Sequence, residues 1–175
     1  MKRGFTLFEM LVVLLITSLL LIIALPQWQG ISTQQALNQE QRNLSTFLRQ
    51  IQTRAENSNE IWYLVANRNI AKKDWCFAAQ LKDSQICDCF RPNNCRKEQM
   101  AHFYYPKFPQ KVMLSANKIY PEELTKMNGA RNTNKGACFL LQAAQKTVVF
   151  SLFNVGSLRL KPNDLLSSCK AEEFE

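Results

Sequence analysis

Residues 2–9 of this 175-residue chain read Lys-Arg-Gly-Phe-Thr-Leu-Phe-Glu, and residues 10–25 carry no charged side chain. After Pro26 the chain turns polar, beginning with a stretch rich in Gln and Asn. An apolar segment of roughly 20 residues is long enough to cross a bilayer as a helix, and basic residues before it favour a cytoplasmic amino terminus. The sequence therefore predicts a membrane helix followed by a water-facing head.

Three interpretations of this segment compete. A secretory signal peptide would end in small residues at its cleavage site, but this apolar stretch ends in Ile-Ile-Ala-Leu-Pro-Gln-Trp. A plain transmembrane anchor, Phe5–Leu25, fits in length and orientation. It leaves Glu9 unexplained, because a carboxylate in a membrane helix costs up to about 2.5–3.5 kcal/mol at the centre of the bilayer. Protonation of Glu9, or extension of its side chain to the headgroups, is the alternative to a special role.

Lys2 to Glu9 closely resemble the processing site of type IV prepilins and pseudopilins. In that family a basic leader ends in glycine, followed by phenylalanine, threonine, leucine, an apolar residue and glutamate, and the match continues to Pro26. The resemblance implies that a prepilin peptidase cuts between Gly4 and Phe5 and methylates the new Phe5 amine. It also implies that Glu9 meets that amine of a neighbouring subunit during filament assembly. An ion pair within one helix is the alternative, since positions four apart are neighbours on a helix.

Beyond Pro26, apolar residues recur at helical spacing up to the Asn-Ser-Asn at residues 57–59, which predicts an amphipathic helix that ends there. Pro26 removes one helical hydrogen bond and is expected to kink the rod. The predicted fold class is α+β, a pilin-like long kinked N-terminal helix packed on a C-terminal antiparallel β-sheet. Four segments are expected: a leader at 1–4, a transmembrane and assembly helix at 5–26, an amphipathic second half at 27–58 and a β-rich periplasmic head at 59–175.

The head contains seven short segments with strand-like composition and period. A hairpin is predicted around residues 144–146 and a second turn at Gly156, whereas residues 83–97 and 118–135 are predicted to be loops. The predicted strands are Ile61–Ala66, Trp75–Ala79, His102–Tyr105, Val112–Ser115, Cys138–Ala143, Thr147–Phe153 and Ser157–Leu160.

The chain has six cysteines, all after the apolar segment: Cys76, Cys87, Cys89, Cys95, Cys138 and Cys169. An even number in an exported chain predicts disulfides formed in an oxidising compartment, with pairings that sequence alone does not give. Cys138 and Cys169 are a candidate clasp on the carboxyl-terminal tail. A zinc site at Cys87, Cys89 and Cys95 is the alternative, but the Cys-x-Cys-x5-Cys spacing differs from the usual ribbon, so no metal is expected.

The chain carries a net charge of +8, and its basic excess is densest between Arg91 and Lys135, with nine Lys and Arg against three acidic residues. Such runs are most often solvated faces. The alternative is a DNA contact surface, supported by aromatic residues 103–105 that could stack on bases. Its candidate contacts are Arg91, Arg96, Lys97, Lys107 and Lys111.

No catalytic arrangement is evident in the sequence. His102 is the only histidine, and no Gly-rich phosphate loop or paired metal-ligand motif occurs. We therefore expect a non-enzymatic protein without a cofactor. An exported membrane-anchored enzyme remains the third hypothesis, behind a filament subunit and a DNA-binding module.

The resemblance implies a minor pilin or pseudopilin that initiates or caps a type IV pilus-like filament. Residues 42–59 loosely resemble the H-type minor pseudopilins of type II secretion and the FimT-like minor pilins. The implied partners are prepilin peptidase, other minor and major pilins, the inner-membrane assembly platform and the lipid bilayer. The implied location is the inner membrane, crossed once with a cytoplasmic amino terminus and a periplasmic head, and later the pilus or pseudopilus. The alternatives are a DNA-binding tip pilin for DNA uptake in competence and a pseudopilin of a type II secretion system.

Overall fold

A single long helix, α1 (Leu7–Ser58), begins the fold. The computed structural model describes residues 6–154 and 156–162, without the side chains of residues 22–31, 161 and 162. The Thr6 hydroxyl accepts a hydrogen bond from the Glu9 backbone N–H at 3.3 Å and caps the helix. Asn59 ends it in the left-handed conformation, with φ 55°. The side chain of Pro26 lies outside the described residues, so the kink there stays a prediction.

Strands follow α1 through the rest of the described chain and form two antiparallel sheets. The five-stranded sheet has the order β3-β2-β1-β5-β6, and the four-stranded sheet has the order β4-β7-β8-β9. The strands are β1 (Ile61–Asn69), β2 (Asp74–Leu81), β3 (His102–Tyr104), β4 (Met113–Ala116), β5 (Thr125–Asn128), β6 (Thr133–Asn134), β7 (Ala137–Ala143), β8 (Lys146–Leu152) and β9 (Leu158–Pro162).

The predicted α+β class, with an amino-terminal helix followed by antiparallel strands, is confirmed. Two details of the prediction are wrong. The head has two sheets instead of one, and the predicted loop 118–135 contains β5 and β6. The hairpin at residues 144–146 is confirmed, because β7 and β8 pair from Ala143 opposite Lys146, and Ala144 takes the left-handed conformation that such tight turns require.

The main core lies where α1 meets both sheets. Phe77 of the five-stranded sheet contacts Phe139 of the four-stranded sheet at 5.2 Å between ring centroids, and Phe139 stacks on Phe150 at 4.8 Å. The helix contributes its apolar stripe to the same core: Leu37, Leu44, Leu48, Ile51 and Ala55, each at most 2% exposed. Burial of each leucine contributes on the order of 2 kcal/mol.

The five-stranded sheet is covered on both faces. Leu64 and Ala66 of β1 point into the main core, whereas Val65, between them, packs with Cys76 and Ala78 in a second cluster. Cys87 and Cys89 complete this second cluster and belong to the long connection between β2 and β3. That connection, residues 82–101, is therefore packed against the sheet face opposite α1 and is called the Cys loop below.

Candidate functional site

The amino-terminal part of α1 exposes a continuous apolar surface. Leu7 is 80% exposed, Phe8 75% and Leu14 65%, and the other large side chains as far as Leu21 are at least 40% exposed. An exposed apolar surface of this extent marks a site for lipid or for another protein. Within the described part of the chain, no helix combines the length and the apolarity that crossing a membrane requires.

Glu9 lies in the first turn of α1 and is exposed. A carboxylate there interacts favourably with the positive end of the helix dipole. Among the described residues, no donor contacts the Glu9 carboxyl group. The predicted cleavage and methylation residues, Gly4 and Phe5, lie outside the described residues, so the predicted pairing with the Phe5 amine stays a prediction.

Two disulfides fold the Cys loop onto the sheet. Cys76 pairs with Cys89, and Cys87 pairs with Cys95. Cys138 is also disulfide-bonded, but Cys169 lies outside the described residues, and the predicted clasp between them stays a prediction. The three cysteines of the alternative zinc site therefore carry disulfide sulfurs instead of free thiolates.

The buried amide of Gln99 fixes the carboxyl-terminal part of the Cys loop. Gln99 is 1% exposed, and its Nε2 donates to the Gln85 carbonyl at 2.6 Å and to the Asp83 carboxylate at 3.1 Å. Its Oε1 accepts from the Arg96 backbone N–H at 3.0 Å. The Arg96 side chain also lies 3.9 Å from the Asp83 carboxylate, and the hydrogen bonds from Ser84 keep the pKa of Asp83 below its ordinary value. These contacts set the course of the loop before it enters β3.

An open groove of about 470 Å³ lies between this loop, the end of α1 and the start of β3. Two of the predicted contact residues, Arg96 and Lys97, line it, and Arg54 and His102 lie beside them. The groove also has apolar walls. Its full lining is Arg54, Pro92, Cys95, Arg96, Lys97, Met100, Ala101, His102 and Phe103.

The pKa of His102 depends on its surroundings in the groove. Its ring stacks on Trp62, with 5.8 Å between centroids and planes 20° apart. Partial burial lowers the His102 pKa below its ordinary value of 6.5, and the nearby charge of Arg54 lowers it further. Both causes disfavour the protonated ring.

The remaining basic candidates lie elsewhere. Arg91 is exposed on the Cys loop and does not line the groove, whereas Lys107 and Lys111 lie on the connection between β3 and β4. Lys111 Nζ is 3.2 Å from the Ser32 hydroxyl of α1. The structure therefore brings together only Arg96 and Lys97 of the five predicted contacts.

A fully buried carboxyl group joins this connection to α1. Glu40 is 0% exposed; its Oε1 accepts from the backbone N–H groups of Lys107 at 2.6 Å and Phe108 at 2.8 Å, and its Oε2 accepts from the Tyr104 hydroxyl at 2.5 Å. Burial and the hydrogen bond to Glu40 raise the pKa of Tyr104. Buried polar groups need such partners, and here three donors converge from residues 64 to 68 positions away.

Sequence analysis did not single out Arg54 or Glu40. Arg54 lies among polar residues of an amphipathic helix, and only the packing of β3 against α1 shows which of them meet the groove. Glu40 carries a weak signal: it lies three positions from Leu37 and four from Leu44, so it falls on the apolar stripe.

Two comparisons with known proteins gave matches. Residues 1–25 match the model of the prokaryotic N-terminal methylation motif. The chain is 50% identical to a Haemophilus influenzae protein described as uncharacterized, over 169 residues that cover 97% of this chain and 99% of that protein. The motif match supports a type IV pilin-like family for this chain. No solved structure matches it.

The amino-terminal methylation motif indicates the general class of this protein. It indicates a pilin or pseudopilin that is anchored in a membrane before assembly, processed by prepilin peptidase and assembled with other pilins.

Proposed function

We propose that the chain is a minor subunit, a minor pilin or pseudopilin, which initiates or caps a type IV pilus-like filament. The observation that carries the proposal is the methylation motif at residues 1–25, followed by an exposed apolar helix that continues into a folded head. The disulfide-rich Cys loop and the basic excess of residues 91–135 support a specialised role for the head in preference to a repeated place in the shaft.

In this proposal, prepilin peptidase cuts between Gly4 and Phe5 and methylates the Phe5 amine. The leader stays in the cytoplasm, the helix crosses the inner membrane once, and the head faces the periplasm. The assembly platform then moves the helix from lipid into a bundle of neighbouring helices. The exposed apolar side chains from Leu7 to Leu21 would be covered first by lipid and then by those helices.

Glu9 would set the axial register of the bundle. The Phe5 amine of a neighbour supplies the charge that the Glu9 carboxyl group lacks among the described residues. Two unit charges about 4 Å apart attract by roughly 4 kcal/mol at an effective dielectric constant of 20. A subunit in the wrong register leaves a buried charge unpaired, which is strongly destabilising.

Mass spectrometry of the exported chain tests the processing step, and it should find an amino-terminal methylated Phe5. An assembly assay tests the register: Glu9→Ala should lower incorporation into filaments at least tenfold, whereas Glu60→Ala, at an exposed head position, should leave it unchanged. An intact leader on the exported chain, or normal incorporation of Glu9→Ala, would refute the respective step.

DNA binding by the head is the second candidate function. It is favoured by the exposure of all five predicted contacts, Arg91, Arg96, Lys97, Lys107 and Lys111. Binding that depends on phosphate contacts weakens steeply with salt. The full chain in detergent micelles should then bind a DNA fragment at low salt and release it as the salt concentration rises, and no binding at low salt would end this idea.

A further inference from the structure

The groove beside β3 brings together three positively charged side chains and the His102 ring, whose protonated form is disfavoured. Arg54 comes from the last turns of α1, Arg96 and Lys97 from the Cys loop, and His102 from β3. No acidic side chain lines the groove, and the nearest acidic partner named for its basic residues is Asp83, 3.9 Å from Arg96. The lining therefore keeps an excess of positive charge, which favours a ligand of opposite charge.

The walls of the groove add an apolar requirement. Met100 is 60% exposed, although it is a large apolar side chain, and Phe103 and Pro92 also line the groove. Met100 has φ 44°, in the left-handed region that side chains other than glycine seldom adopt. The buried Gln99 beside it holds the loop in this course, so the groove is fixed before a ligand arrives.

β3, which lines one side of the groove, is an edge strand. It ends the five-stranded sheet and, among the described strands, pairs only with β2. An edge strand can pair with an extended segment of another chain through backbone hydrogen bonds, while side-chain pockets supply specificity. An open groove beside such an edge suits an extended peptide.

The arrangement suits a nucleic acid less well. Only Arg96 and Lys97 of the five predicted DNA contacts line the groove. The backbone N–H of Lys107 donates instead to Glu40, which is fourteen positions from Arg54 on α1. At 1.5 Å per residue this separation is roughly 21 Å along the helix, so the basic groups do not form one short track.

We propose that this groove binds an acidic, extended peptide segment with an apolar side chain, presented by a neighbouring subunit of the filament. The carboxylates of the segment lie against Arg54, Arg96 and Lys97, and its apolar side chain packs on Met100 and Phe103. The source of the segment rests on the proposed function, whereas the peptide chemistry of the groove does not.

The test uses the full chain in detergent micelles and the acetylated peptide Gly-Glu-Phe-Glu-Glu-Gly. His102 is the only histidine, so its ring signals in NMR spectra report on the groove without ambiguity. The expected result is a saturable shift of these signals. The control peptide Gly-Gln-Phe-Gln-Gln-Gly should bind at least tenfold more weakly, which corresponds to about 1.4 kcal/mol.

Two double variants locate the site. Arg96→Gln with Lys97→Gln should weaken peptide binding at least tenfold. Lys72→Gln with Lys146→Gln removes the same charge from exposed positions outside the groove and should leave binding within twofold of the original chain. Equal weakening by both pairs, or equal binding of both peptides, would overturn the proposal.

Two further outcomes would also overturn it. A single-stranded oligonucleotide that displaces the peptide and binds more tightly would make the groove a nucleic-acid site. A chain with Glu172→Gln, Glu173→Gln and Glu175→Gln that binds the peptide at least tenfold more tightly would identify the acidic tail of the same chain as the occupant. Processing at Phe5 is measured separately by mass spectrometry, so failure of the filament assignment is distinguishable from failure of the groove.

Discussion

The two ends of α1 differ in what covers their apolar side chains. From Leu37 to Ala55 the apolar stripe is buried under the two sheets of the same chain, whereas Leu14, near the other end, is 65% exposed. One helix thus contains a part that the head uses to fold and a part that the described chain leaves open. The difference separates stability from assembly: changes at one end should alter the head, and changes at the other should alter what the helix joins.

Two of the glutamates of α1, Glu9 and Glu40, show the same division. Glu40 is fully buried and has three donors from its own chain. Glu9 is exposed and has no donor to its carboxyl group within the described residues. In the proposed pairing, the Phe5 amine of a second subunit is the partner of the Glu9 carboxyl group, as donors from residues 104–108 are the partners of Glu40.

The largest effect is expected at Glu40. Glu40→Ala removes the acceptor of three hydrogen bonds, and each donor left unsatisfied costs about 1–3 kcal/mol, so the free energy of unfolding should fall by about 3–9 kcal/mol. Glu40→Gln keeps an acceptor for the two backbone N–H groups and should cost much less. Urea unfolding of the full chain in detergent micelles measures both. A similar loss in Glu9→Ala would erase the distinction between the two ends.

Leucine truncation tests the apolar side chains in the same way. Leu48→Ala should lower the free energy of unfolding of the head by about 2–5 kcal/mol, because it opens a cavity in the core. Leu14→Ala should change it by less than about 0.5 kcal/mol, as an exposed substitution does. Thermal unfolding followed by circular dichroism compares the two variants, and equal effects would contradict the division of α1.

The Cys loop offers a third test, confined to the head. The double variant Cys76→Ala with Cys89→Ala removes a disulfide between residues 13 positions apart. Loss of such a disulfide should lower the free energy of unfolding by about 2–4 kcal/mol. Reduction of the unmodified chain should act in the same direction. The fraction of chain processed to methylated Phe5 should not change, and a change there would show that the two parts of the molecule are coupled.

The smallest effect concerns the contact between the end of α1 and β3. Arg54→Gln should raise the His102 pKa toward 6.5, because it removes the positive charge that disfavours the protonated ring. The effect of burial on the ring remains. Lys146→Gln, far along the chain on the β7–β8 hairpin, should leave that pKa unchanged. NMR titration of the ring measures both, and an unchanged pKa in Arg54→Gln would place that guanidinium away from the ring.

The same shift predicts a pH dependence of stability. The folded chain binds the His102 proton more weakly than the unfolded chain does, since the folded pKa is lowered. The stability that comes from the neutral ring is therefore present above pH 6.5 and is lost as the pH falls through the folded pKa. Replacement of His102 by Gln should remove this contribution from the pH profile of urea unfolding.

Local patterns in the sequence predicted the helix and the longer strands. The stripe from Leu37 to Ala55 has helical spacing, and the hairpin between β7 and β8 has a short polar turn between apolar runs. β5 and β6 were missed because Thr125–Asn128 and Thr133–Asn134 are short and polar, and pairing with β1 holds β5 in place. That pairing joins residues about sixty positions apart, which no local window contains.

The candidate site was predictable only in part. The amino-terminal motif is continuous in sequence, so its residues can be found together. The groove joins Arg54, Arg96 and His102 from three elements, and the pairing of Cys76 with Cys89 depends on how the Cys loop packs on the sheet. Such long-range arrangements follow from the tertiary fold, and composition indicated only that the region is basic and oxidised.

The two disulfides of the Cys loop also impose an order of events. A reducing cytoplasm keeps such thiols unpaired, and pairs form only after export to an oxidising compartment. In the proposed topology, with the head exported, the wall of the groove formed by Arg96, Lys97 and Met100 would therefore be completed only after export. A newly made copy would then lack the proposed docking surface, and this timing would prevent premature binding between precursors.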